Sequence, residues 1–453
     1  MGGVFQLVHR ATAAQLEVVP NDETLLRDSR VWDFLFPTWS PQYLMARSSA
    51  LRVGQALWMF RDAPRARKRR TSAFELDALE RAYESALGMS VEHFISLVLL
   101  IYGRSAGSNP TLSPVLYLPH ATAERFGIVS RDGDKLLLKT HLCSVLRVLG
   151  ADAAQMRVWM ENELGSGGPS SELELLRAPN PLLRFPLLRP FSGDQDHHVS
   201  PVPSCLLEWL YEPMVNFLYE ALEGDEDLER DFALAFEEYV GMILEAHSSG
   251  GAPWLHEDEL RPSSKSSVID WARPFPESVV LVDAKRCFIK PMRRYRMNAT
   301  DWRGLENGLR RGVEQAATFW ACVRKGEVPR LAGYADRPPI FLLVSQSDTS
   351  IIGMQERIER ELAALAEQRC PGMKVVLLSL DQLQHIATNW QDRGDLWLER
   401  FLRRIAVEGR GIIAAEAPHQ ARGPLWDEVG RIWKTPEPGH EASGSSVGLD
   451  SRS

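Results

Sequence analysis

The spacing of apolar and polar residues changes character near residue 230. Upstream, apolar positions recur every three or four residues. In "ELDALERAYESALG" (75–88), Leu76, Leu79, Tyr83 and Leu87 fall on one face, which predicts an amphipathic helix. "VEHFISLVLLIYG" is apolar nearly all round, which predicts the central helix of a bundle over residues 24–105. A further helical stretch covers 141–164, with a break expected at Gly150, and "GSGGPSS" (165–171) reads as a flexible linker. Downstream, "ERDFALAFEEYVGMILEAH" predicts a long helix whose core face carries Phe236, Val240, Ile243 and His247. Strands are then expected at 266–272 and over "SVVLVDAKRCF". The Pro-containing turn "RPFPE" between them makes an antiparallel hairpin. A helix over 303–325, strand 339–345, helix 354–368, strand 374–380 and helices at 381–390 and 394–406 follow.

Strands alternating with helices predict an α/β domain with a mixed sheet flanked by helices. It is preceded by a mainly α-helical N-terminal region. The expected boundaries are 1–190 for the helical region and 191–410 for the α/β domain, with a disordered tail at 411–453.

Composition narrows the function classes. At 44% hydrophobic and 25% charged the chain reads as globular rather than disordered. No apolar run approaches the roughly 20 residues of a bilayer span. The N-terminus has no long apolar segment after a basic start, so no signal peptide is expected. Five scattered cysteines without a CxxC pair fit a reducing cytoplasm. The net charge of −8 argues against a general nucleic-acid coat and leaves room for local basic patches. Two stand out. "RARKRR" (65–70) reads as an exposed linker. "KPMRRYR" (290–296) offers Arg293, Arg294 and Arg296 as a phosphate clamp.

The chemistry centres on "VVLVDAKRCF". Alternation on a strand places Asp283 and Lys285 on one face. An acid two residues before a lysine is no rarer than chance here, and its weight comes from lying inside the most strand-like run of the chain. Asp270 precedes Asp283 by 13 positions, a span that a hairpin closes. Two carboxylates side by side repel unless one is protonated or a cation intervenes. Mg²⁺, with Mn²⁺ as substitute, suits hard oxygen ligands. Lys285 would orient the nucleophile or stabilise the transition state. On the preceding helix, Glu237 borders the core face and can reach the site, whereas Glu238 is expected to point to water. The bland alternative for Asp283 and Lys285 is an ion pair on an edge strand.

The ordered set "FEEYV", "SSVIDW" and "VVLVDAK" resembles the PD-(D/E)xK phosphodiesterase superfamily, with its restriction-endonuclease-like fold, over about residues 200–410. The resemblance implies an αβββαβ core. It also implies a metal site of Glu237, Asp270 and Asp283, with Lys285 as catalytic partner. Gln315, with Phe319 one turn later, is similar to a glutamine on the following helix of many relatives. Two departures stand: Ile269 replaces a proline before Asp270, and Asp283 replaces the commoner Glu. The implied function is a Mg²⁺-dependent endonuclease with DNA favoured over RNA, plausibly a cytoplasmic antiviral (anti-phage) defence effector. Its helical region would sense a trigger, restrain the nuclease or contact DNA, and the expected protein partner is a regulator or further copies of the chain in a homo-oligomer. The alternatives are a catalytically inactive module of the same fold, used for nucleic-acid binding or assembly, and a nucleotide-handling α/β enzyme. For the last, no phosphate loop is present.

Overall fold

The computed structural model describes residues 51–105, 111–112, 134–164, 181–189, 198–200, 203–248, 250–264, 267–285, 299–346, 355–409 and Ile413. Arg293, Arg294 and Arg296, the "GSGGPSS" stretch and nearly all of 411–453 lie outside these residues.

In the N-terminal region, α1 (Leu51–Leu57) runs through a π turn at Trp58–Asp62 into α2 (Ala63–Arg70). Helices α3 (Leu76–Leu87) and α4 (Val91–Ser105) follow, parted at Gly88, whose φ of 77° is the left-handed cap conformation that glycine tolerates best. Leu76–Gly103 is the one stretch among the described residues with the length and hydropathy to cross a membrane. In this fold it is two helices, and Leu79, Tyr83, Leu87, Phe94, Val98 and Ile101 all lie in the core. The break expected at Gly150 is present: α5 (Asp134–Leu149) ends there and α6 (Ala153–Leu164) begins three residues on. Between them Gly150–Asp152 forms β2 of a small sheet with order β1-β4-β3-β2, whose other strands are β1 (Thr111–Leu112), β3 (Leu187–Arg189) and β4 (His198–Val199). Strands of two or three residues carry no readable alternation, so the apolar pattern alone predicts only helices here. His198, of the "DHH" stretch, is buried in β4.

A short helix α7 (Pro181–Arg184), then α8 (Ser204–Trp209) and α9 (Glu212–Leu222), lead to α10 (Glu226–Ala246). Asp225 caps α10 by accepting from Leu228 N–H at 3.1 Å. The main sheet has the order β5-β6-β7-β8-β9, with β5 Leu255–His256, β6 Trp271–Pro274, β7 Val279–Lys285, β8 Pro339–Ser345 and β9 Lys374–Ser379. β5, β6 and β7 are antiparallel neighbours; β8 and β9 continue parallel to β7. A short helix α11 (Glu257–Leu260) follows β5, and α12 (Ala299–Arg324) links β7 to β8. α13 (Gln355–Arg369), α14 (Leu380–Arg393) and α15 (Asp395–Glu408) complete the chain.

Two-sided burial explains the continuous apolar strands. Val280, Val282, Ala284, Ile340, Leu342 and Val344 face a core shared with α10, α14, α15 and the N-terminal helices. Val279, Leu281, Phe341 and Leu343 face a second core under α12 and α13. The first core runs without interruption from Val53 to Ile413, so it includes side chains on both sides of residue 190. A buried polar lock reinforces it. Arg52 of α1 pairs with Asp381 of α14 at 2.7 and 3.0 Å, and Gln384 of α14 donates to Tyr239 of α10 at 2.5 Å.

Three expectations require correction. The first hairpin strand starts at Trp271 rather than near 266, so Asp270 sits in a bend just before it. Glu238 does not point to water. It is 2% exposed and accepts from Arg70 at 2.9 Å, because α2 packs over that side of α10. "RARKRR" is not an exposed linker but part of α2, with Arg67 in the core and Arg70 stacked 4.9 Å from the Trp271 ring.

Gly241 of α10 is where that helix seats on the sheet: a Cβ there would overlap the Trp271 indole. Gly241→Ala is therefore expected to lose about 1–3 kcal/mol of stability through overpacking, read as a lowered denaturant midpoint. An unchanged midpoint would contradict this seating.

Candidate active site

β7 is the middle strand of five, so Asp283 and Lys285 are not an edge-strand pair. Trp271 pairs with Val282 across β6 and β7, and extending that antiparallel register by one step sets Asp270 opposite Asp283. Residues directly opposite share a sheet face, here the face covered by α12. The Asp270 carboxylate is fixed from the other strand: its Oδ2 accepts the Ala284 N–H at 2.7 Å. Its main-chain oxygen accepts from Glu257 N–H at 2.9 Å, which ties the bend to the end of β5.

Asp283 is fully buried. Lys285 Nζ donates to its Oδ1 at 3.0 Å and lies 2.8 Å from Oδ2. Oδ2 is buried and accepts no hydrogen bond. Above it stands Gly312 of α12, where a Cβ would come within 3.3 Å of Oδ2 and 3.0 Å of Leu343 Cδ1. A glycine at this point of the helix lets the backbone approach the carboxylate closely.

Gln315, one turn further along α12, bridges two elements. Its Oε1 accepts from Lys285 Nζ at 3.3 Å and its Nε2 donates to Val268 O at 2.6 Å. Phe319 is buried beneath it. The ammonium is thus held between a carboxylate and an amide, and the amide is anchored to the segment that carries Asp270.

Glu237 of α10 completes the charge cluster. Burial, and the charge of Asp283 beyond it, push its pKa up to about 7, against the opposing pull of Arg67 and Lys285. Asp270 is likewise raised well above the ordinary carboxylate range by burial, then by Asp283 and Glu237. Burial alone would lower Lys285; the three acids, Asp283 first, outweigh it and hold the ammonium protonated above its usual range. The acids act on one another electrostatically, as repelling carboxylates in a poorly solvated place do.

The donor set suits a hard divalent cation: the carboxylates of Asp270 and Asp283 come together at β7. Among the described residues, however, no three His, Cys, Asp or Glu are grouped as ligands of one ion. Asp270 and Asp283 form the opposed pair, and Glu237 is a third acid beside it rather than a ready third ligand.

Two features were not foreseen from sequence. Arg67 reaches this region from α2, with Nη1 3.3 Å from His256 Nε2. His256 is paired with Trp271 in the sheet, its ring packed edge-on to the indole at 4.8 Å. The signal for Arg67 was weak but present: Ala63, Pro64 and Arg67 share a face of a helix with no other apolar stripe, so packing that helix must bury an arginine. Comparison of the chain with protein families, curated proteins and solved structures finds no match.

The raised pKa of Glu237 carries a sign. Its folded value of about 7 exceeds its usual 4.5, so the folded state holds the extra proton between these values and stability falls as pH rises through them. In metal-free buffer, Glu237→Gln is expected to raise the melting temperature at pH 8 and to lose that advantage towards pH 4.5. An equal effect at both pH values would show that the carboxylate is not strained by its neighbours.

Proposed function

We propose that this chain is a divalent-metal-dependent nuclease that hydrolyses phosphodiester bonds, with DNA favoured over RNA. One observation carries the reading: the Asp270 carboxylate is bonded to the strand of Asp283 at Ala284 N–H, while Lys285 is bonded to both Asp283 and Gln315. The chain order supports it. Helix α10, antiparallel strands β5 to β7, helix α12 and parallel strand β8 follow the αβββαβ order that the PD-(D/E)xK resemblance implies.

Asp270 and Asp283 are the residues that would hold Mg²⁺ or Mn²⁺, with Glu237 engaged through water. When bound, such an ion supplies a lowered pKa for its water and neutralises charge on a phosphoryl oxygen. Lys285 is held protonated and so is no base at neutral pH. Its role is to donate, orienting the attacking water and stabilising the charged transition state. Gln315 positions Lys285 by taking one of its three N–H groups. In the hydrolysis, the water oxygen bonds to phosphorus as the P–O3′ bond breaks. The ends are a 5′-phosphate and a 3′-hydroxyl.

A rival reading has one observation in its favour. Lys285 already neutralises Asp283 and Ala284 N–H already satisfies Asp270, as a purely structural cluster would require. An inactive assembly or binding module of the same fold would look like this.

Plasmid nicking separates the two. The full chain is expected to cut supercoiled DNA with Mg²⁺ or Mn²⁺ and to stop with EDTA. Asp283→Asn and Lys285→Gln should each lower the rate by about 10²–10³-fold or more, with thermal unfolding still cooperative. Full activity in Asp283→Asn, or a wild type inert on both DNA and RNA, contradicts the nuclease reading and favours the module.

A further inference from the structure

We infer that Arg67, supplied by the N-terminal helix α2, is an anion ligand of this site, placed to take a phosphate oxygen of the nucleic-acid backbone. The inference builds on the nuclease reading and concerns how that site holds its substrate.

Among the described residues three arginines are buried: Arg52, Arg67 and Arg273. Arg52 pairs with the Asp381 carboxylate at 2.7 Å, and Arg273 with that of Asp395 at 2.7 Å. Arg67, at 6% exposure, makes no ion pair with any described carboxylate within 4 Å. Its side-chain partner is His256 Nε2, 3.3 Å from Nη1. A guanidinium only donates, so that ring nitrogen accepts and carries no proton, and the imidazole is neutral. Burial, and then the charges of Arg70 and Arg67, drive the His256 pKa down to about 4, in keeping with a neutral ring. The Arg67 Nε–H is buried and has no hydrogen-bond partner among the described residues.

A buried cation with a neutral neighbour and an unfilled donor is an expensive arrangement. The Nε–H of Arg52 and of Arg273 is likewise unfilled, but both of those arginines have a carboxylate partner. Arg67 does not, and a phosphate would complete it: the planar fork offers parallel donors that match phosphate oxygens.

The location fits a substrate contact. α2 packs along α10, the helix of Glu237, and after burial the Arg67 charge is the strongest influence on that carboxylate. His256 is paired with Trp271, the residue next to Asp270, and Glu257 is bonded to Asp270 itself. Arg67 is therefore tied to the segment that carries Asp270 through His256, and to Glu237 through its charge. An arriving phosphodiester would meet one cation from β7 and one from α2. The N-terminal region is then part of the active site and not only a sensor or restraint attached to it.

The test uses the full chain and Arg67→Met, which keeps the volume and removes the charge, with Arg67→Lys as the charge-retaining control. Affinity for a fluorescent DNA duplex is measured with Ca²⁺ at several salt concentrations, beside melting temperature with and without inorganic phosphate. Arg67→Met should bind roughly tenfold or more weakly, and the slope of log affinity against log salt should become shallower by about one. Its melting temperature in phosphate-free buffer should equal or exceed that of wild type. Phosphate should raise the melting temperature of wild type but not of Arg67→Met, and Arg67→Lys should fall between them.

Wild-type affinity and slope in Arg67→Met would overturn the inference. So would a variant that melts far below wild type or does not fold, since that marks a structural cation. The two readings also fail separately. A wild type that never cleaves but gains Arg67-dependent stability from phosphate removes the nuclease and keeps the anion site. A wild type that cleaves beside an Arg67→Met that binds normally removes only the anion site.

Discussion

A carboxylate in the middle strand of a five-stranded sheet is the constraint on which the site depends. Asp283 is flanked by β6 and β8 and covered by α12, so water cannot solvate it. Burying an ionised carboxylate is tolerable only with compensation. Here the compensation is partial. Lys285 neutralises the charge, but it is one cation among three acids, since Asp270 and Glu237 lie within electrostatic reach. The remainder of the architecture serves this arrangement. Gly312 lets α12 close over it, Gln315 fastens the lysine to the segment bearing Asp270, and the opposed register of β6 and β7 sets the two aspartates face to face. Sites that retain such strain are commonly those that a ligand relieves.

The helical N-terminal region is built into this arrangement. Its side chains share one apolar core with the sheet, and Arg52 is locked into α14 through Asp381. Glu238 and Glu237, neighbours on α10, receive opposite treatment because of it. Glu238 is neutralised by Arg70 from α2, whereas Glu237 is left facing the acid cluster, with the unpaired Arg67 on its other side. Two acids adjacent in sequence thus acquire distinct roles from which helix lies over them.

Much of the α/β part was legible in sequence because its signals are strong and local. The strand at Pro339–Ser345 matches its apolar run residue for residue, and α12 to α15 lie within a few residues of their periodic patterns. The hairpin spacing predicted that Asp270 lies near the strand of Asp283, and its carboxylate bonds to Ala284 N–H there, although the first strand itself begins later than expected. What was not legible depends on tertiary packing. β5 has two residues and no period to read. The "RARKRR" stretch looks solvated by composition, and only the packing of its helix on α10 and Trp271 buries Arg67. Arg67 and the burial of Glu238 both follow from that one contact, so both escaped.

The central claim is that these acids exist to hold a divalent ion. Calorimetric titration of Mn²⁺ into the full chain at pH 7, repeated in buffers of different ionisation enthalpy, tests it most directly. With Glu237 raised to about 7 and Asp270 also raised well above its ordinary range, part of the cluster is protonated when no cation is bound, so binding must expel protons. The account predicts saturable binding with proton release, both abolished in Asp283→Asn. Absence of binding, or binding that Asp283→Asn retains unchanged, would contradict it.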